Sequence, residues 1–129
     1  MLVDGSGTPL ACFVTAANRH DVTALLATVV SCPLEGYGGP GRLLGDQAYD
    51  SQGHEAILKW LGITPVFAQR GRVHGSGLGK ERYVVEQTVA AVHQNRRLKV
   101  RYEKRSDIHL AFLTLACIKV CFYRLLAAA

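Results

Sequence analysis

Arg42-Leu43-Leu44-Gly45-Asp46-Gln47-Ala48-Tyr49-Asp50-Ser51 is followed by a helical pattern from His54 to Leu61, a glycine at 62 and a second short apolar run, Ile63 to Ala68. The run ending at Asp46 is too short for a helix and too continuously apolar to alternate, the pattern of a strand buried on both faces. Asp50-Ser51 supplies a helix start, and Gly62 a stop. The order is therefore strand, helix, strand. Upstream, Leu2-Val3, the turn Asp4-Gly5-Ser6-Gly7 and Pro9 to Ala16 predict a hairpin. Asn18 to Asp21 ends it, and Asp21 is placed to cap a helix carrying Val22, Leu25, Leu26 and Val29 that stops near Cys32-Pro33. A glycine-rich loop from Gly36 to Gly41 follows. Downstream, residues 69–80 predict a basic glycine-rich loop, Glu81 to about Arg97 a helix, Val100 to Lys104 a link, and Asp107 the cap of a last apolar helix to about Leu126. Strands and helices alternate after the hairpin, which predicts the α/β class with a mixed sheet flanked by helices.

With 129 residues, 49% hydrophobic and 19% charged, the chain has the material for one domain. Disordered, collagen-like and fully coiled-coil chains do not have this composition. Its net charge of +5 is unevenly spread. Residues 1–68 carry a net −3, and residues 69–105 a net +7, so the basic character is one block. The four cysteines, Cys12, Cys32, Cys117 and Cys121, contain no Cys-x-x-Cys pair, and Cys117 and Cys121 read as small buried apolar groups. No secretory signal is visible, and Lys119 and Arg124 interrupt the apolar tail. The expectation is a reduced, cytoplasmic protein with no membrane partner.

Asp46 lies at the carboxyl end of the predicted strand, where α/β sheets gather ligands and catalytic groups. An aspartate there also caps turns, and Asp50 reads as a helix cap. Glu86 sits mid-helix, sharing a face with Arg82, Val89, Ala90, His93 and Arg97. Arg82 with Glu86 also reads as an exposed ion pair. Packing through Val85, Val89 and Val92 is expected to place Glu86 beside the buried stripe. Two carboxylates suit a hard divalent cation, which needs them about 4 to 8 Å apart. Beside a basic block they suggest phosphodiester chemistry. The loop around Gly75 to Lys80 fails both nucleotide-binding spacings: Glu81 follows Lys80 and His74 stands where a Walker glycine is required, and Lys80 holds the place of the third glycine of the dinucleotide pattern. Arg70, Arg72, Lys80, Arg96, Arg97, Lys99 and Arg101 are candidate phosphate contacts.

These residues together resemble the DDE-type insertion-sequence transposases of bacteria. Thr8-Pro9-Leu10-Ala11 through Asn18-Arg19-His20-Asp21, Gly45-Asp46-Gln47-Ala48-Tyr49-Asp50 and Ile63-Thr64-Pro65-Val66 match in order, as do Arg82-Tyr83-Val84-Val85-Glu86, His93 to Leu98 and Asp107-Ile108-His109. The resemblance implies a partial ribonuclease H-like fold, with Asp46 as the second catalytic aspartate and Glu86 as the catalytic glutamate, both binding Mg²⁺ or Mn²⁺. It implies cleavage and strand transfer at transposon DNA ends. Arg82 matches the arginine of the family's Tyr-x2-Arg-x3-Glu-x6-Lys pattern, Gly79 stands in the tyrosine's place, and His93 in the lysine's. By that match His93 is a DNA contact about 10.5 Å along the helix from Glu86. The family's first strand and first catalytic aspartate have no counterpart here, and Asp4 lies in the hairpin turn. The chain therefore resembles the carboxyl-terminal part of a transposase. Its implied partners are transposon-end and target DNA, and the upstream half of the enzyme or a full-length copy, in an oligomer when active. Alone it is expected to bind DNA weakly without cleaving it. The alternative is a non-catalytic DNA-binding or transposase-inhibiting remnant.

Overall fold

The computed structural model describes residues 1–16, 18–20, 22–32, 40–68 and 78–129, and only the backbone of residues 78–82. The elements are β1 (Leu2–Val3), β2 (Pro9–Ala11), α1 (Val22–Val30), β3 (Arg42–Gly45), α2 (Gln52–Trp60), β4 (Thr64–Phe67), α3 (Leu78–His93), α4 (Arg96–Lys99) and α5 (Ser106–Ala128). Among the described residues the strands form two small sheets, an antiparallel β1–β2 pair and a parallel β3–β4 pair, with helices packed on them. Two compact units result, one of residues 1–14 and 83–129 and the other of residues 15–82.

In the unit of residues 15–82, β3, α2 and β4 are the strand, helix and strand expected. A parallel pair needs a crossover, and α2 supplies it. The register pairs Arg42 with Thr64 and Gly45 with Phe67. Leu58 of α2 is completely buried, and Leu25, Val29, Cys32, Leu43, Ile63 and Phe67 form the rest of this unit's core. The expectation that β3 is buried on both faces is corrected, since only Leu43 is fully buried while Arg42 is exposed. A two-stranded sheet has too little cover to enclose both faces of either strand. Asp50 does not cap α2. Ser51 holds the N-cap position without a side-chain bond to the helix, its hydroxyl lying 2.9 Å from His54 Nδ1. Asp21 and the loop residues 33–39 lie outside the described residues.

The other unit is built around the hairpin, which is shorter than expected because β2 ends at Ala11. Asp4 shapes its turn by accepting hydrogen bonds from the amides of Ser6 and Thr8 at 2.9 and 2.8 Å. Partial burial opposes ionisation of Asp4, but the bonds from Ser6 and Thr8 outweigh it and lower the carboxyl pKa. Gly7 has φ +87°, and a Cβ there would lie 2.6 Å from Arg124 Nη2 and 2.9 Å from Thr88 Oγ1. The close approach lets Thr88, on α3, donate to the Gly7 carbonyl at 2.7 Å. Arg124 of α5 donates to the Ser6 carbonyl. Thr88→Val keeps the shape but removes the donor, so urea unfolding is expected to show a loss of about 1–3 kcal/mol. An unchanged midpoint would refute the tie.

Val92, Leu98, Ala116 and Cys117 form this unit's core, flanked by Met1, Cys12, Phe112, Leu113 and Val120. Burial, and then the neighbouring Cys12 and Cys121, push the Cys117 thiol up to about 11. It stays protonated at neutral pH and packs as an apolar group, and all four cysteines are free. The helix expected from Glu81 to about Arg97 instead begins at Leu78 and stops at His93. The stop has a local cause, because Asn95 donates to the Val92 carbonyl at 2.8 Å and occupies the N-cap of α4. Asp107 lies inside the first turn of α5 and does not cap it; Arg105 holds the N-cap position and forms a 2.5 Å ion pair with Asp107. That pairing holds the Asp107 carboxyl below the usual carboxylate range.

Candidate functional site

Asp46 follows directly on β3, half-buried, and starts a short 3-10 turn over Gln47–Tyr49. One carboxylate oxygen, Oδ1, accepts from the Ala48 amide at 2.9 Å. The turn is set by packing around Gly45. A Cβ there would sit 2.8 Å from Phe67 Cδ1 and 3.2 Å from Tyr49 Cδ2, so only glycine lets the Tyr49 and Phe67 rings approach with centroids 6.3 Å apart. Gly45, Tyr49 and Phe67 thus fix the backbone that aims Asp46. Their aromatic-glycine spacing is visible in the sequence, but the contact across the parallel pair is not.

Glu86 is on α3 and exposed. The expectation that it borders the buried stripe is corrected. Thr88 and Val92 are the buried residues of this helix, and Glu86 projects from the opposite side together with exposed Tyr83, Ala90 and His93. The physical reason is Thr88, whose bond to Gly7 makes a polar residue the centre of the packed face. Glu86 and His93 have no hydrogen-bond or ion-pair partner among the described residues. The two carboxylates belong to different units, and no group of three metal-ligating side chains occurs among the described residues.

The basic block divides into engaged and unengaged charges. Arg97 pairs with Glu103 and lies 5.1 Å over the centre of the Phe112 ring, bracing α4 against α5. Arg101 Nε donates to the Glu103 carbonyl at 3.0 Å. Arg96, Lys99 and Lys104 are exposed without a partner among the described residues. Lys104 was not among the candidates drawn from sequence, though its charge lies in the same block. Arg70 and Arg72 lie outside the described residues, as do the side chains of Lys80 and Arg82.

Comparison with known proteins defines the class. The transposase DDE domain model matches residues 1–121, and the chain belongs to that family. A protein of Burkholderia cepacia, named as a candidate transposase for insertion sequence element IS402, is 46% identical, with 95% of this chain and 61% of that protein covered. The chain thus spans less than two thirds of that relative's length. No solved structure matches the chain.

Proposed function

We propose that this chain is the carboxyl-terminal part of a transposase catalytic domain of ribonuclease H-like fold, acting on transposon-end and target DNA in the bacterial cytoplasm. Asp46 and Glu86 contribute two of its metal-binding carboxylates. The observation that carries this reading is the family match over residues 1–121, within which the carboxylate of Asp46 stands at the carboxyl end of a parallel strand. Asp46 fits a hard cation in part, since its Oδ2 has no partner among the described residues while Oδ1 holds the turn. A Mg²⁺ or Mn²⁺ ion bound there would activate a water or hydroxyl nucleophile and stabilise the leaving oxygen of a phosphodiester. In this reading the family's first catalytic aspartate is the third carboxylate, and all three are needed for cleavage. A DNA-binding or enzyme-inhibiting remnant is the second reading.

Arg96, Lys99 and Lys104 are assigned to phosphates, and Arg82 and His93 to DNA flanking the metal. Arg97 has a bracing role. Arg96→Ala with Lys99→Ala is expected to reduce the slope of log affinity against log salt by about 2, across all duplex sequences. Arg97→Ala is expected chiefly to lower the thermal midpoint. Fluorescence anisotropy across a salt series measures the first, and an unchanged slope would remove Arg96 and Lys99 from the DNA surface.

A further inference from the structure

The exposed side of α5 carries an apolar line, Ile108, Ala111, Leu115, Ile118, Phe122 and Leu125, whose spacings alternate between three and four. That alternation is the 3.5-residue repeat of a helix that packs along its length on another helix. It is separate from the face α5 uses within its own unit, where Ala116 and Cys117 are buried. Leu115, Ile118, Phe122 and Leu125 are between 56% and 69% exposed, and Leu126 widens the stripe.

We propose that this stripe is an antiparallel dimer interface with α5 of a second copy of the chain. The sequence of the stripe is self-complementary in that direction. Antiparallel pairing about the helix centre sets Ile108 against Leu125 of the second copy, Leu115 against Ile118, and the small Ala111 against the large Phe122. The two Ala111–Phe122 layers combine a small and a large side chain, and the Ile–Leu layers between and beyond them pair side chains of equal volume, which fills space evenly. A parallel pair would instead stack Phe122 on Phe122 and Ala111 on Ala111. Antiparallel helices also oppose their dipoles favourably. The area is sufficient: Ile108, Leu115, Ile118, Phe122, Leu125 and Leu126, at about 100 Å² each, give about 1,200 Å² over two copies, the lower bound of stable interfaces.

Among the described residues α5 alone is long and apolar enough to cross a membrane by length and composition. Lipid is a poorer occupant, because one side of α5 is packed in protein. Lys119 near the middle of α5 and Arg124 about one turn from its end add charge, the first 3.4 Å from Asn95 Oδ1 and the second bonded to the hairpin. The interface does not depend on the catalytic reading.

Sedimentation equilibrium of the 129-residue chain tests the interface. The wild-type chain is expected to be dimeric at micromolar concentration, and Phe122→Ala to weaken the dimer at least about 10-fold by emptying two layers. Ala111→Phe combined with Phe122→Ala restores the layers in reverse and is expected to restore the dimer. Trp60→Ala, a still more exposed aromatic on α2, is expected to leave the mass unchanged, and circular dichroism to report folded helices throughout. A monomeric wild-type chain, a dimer indifferent to Phe122→Ala, or failure of the double variant to recover would overturn the proposal. So would α5-dependent association only with phosphatidylcholine vesicles, or only with the remaining portion of the Burkholderia relative.

Discussion

Supplied with the portion of the Burkholderia relative outside the matched region, the chain is expected to nick DNA carrying the element's end sequences in the presence of Mg²⁺. Asp46→Asn and Glu86→Gln are each expected to reduce the rate at least about 100-fold, because groups that merely support metal ligands already contribute 10- to 100-fold. The asparagine substitution is informative because its amide oxygen can still accept from the Ala48 amide, so the turn after β3 persists while the charge is lost. Glu86 is exposed, so its replacement by glutamine leaves packing unaltered. Unfolding midpoints of both variants should therefore match the wild type. Full activity in either variant would remove that residue from the metal site. Absence of cleavage by the completed wild-type enzyme would favour the non-catalytic remnant.

Leu58→Ala carries the largest expected effect on stability. Leu58 has no exposed surface and packs from α2 into the core beneath the parallel pair. Truncation removes buried methyl groups and leaves a cavity, a combined loss of about 2–5 kcal/mol. A free parallel pair of four-residue strands has few other contacts to hold it. The loss should appear as a lower urea midpoint and as early amide exchange at Leu43, Leu44 and Val66. Val30→Ala, at an exposed position of α1, provides the control, since Val30 is 72% exposed. Equal effects of the two substitutions would mean that Leu58 does not anchor the unit.

The crossover from β3 through α2 to β4 was legible because each segment has a local signal: an apolar run, helical spacing, a terminating glycine. Asp46 was legible for the same reason, as a carboxylate at a strand end inside a recognisable motif. The motif singles out Glu86 as a candidate, but its orientation is not legible in sequence, because apolar spacing points to Val85 and Val89 while the packed centre is Thr88. A buried threonine looks polar in sequence, and only its bond to a carbonyl 81 residues away makes it interior. The break between α3 and α4 was missed likewise, since Asn95 closes one helix and starts the next through contacts that helical periodicity does not encode.

The sequence by itself determined the α/β class, the order of the strands and the longer helices, the resemblance to the family, and the segregation of positive charge after residue 68. These follow from local propensities and from composition, which act over a few residues. The tertiary structure decided which side of α3 is buried, which arginine is a brace and which is unengaged, and which line of α5 is left open. Those outcomes depend on partners distant in the chain: Gly7 for Thr88, Glu103 and Phe112 for Arg97, and the hairpin for Arg124. A side chain's role is fixed by the contacts that folding brings to it.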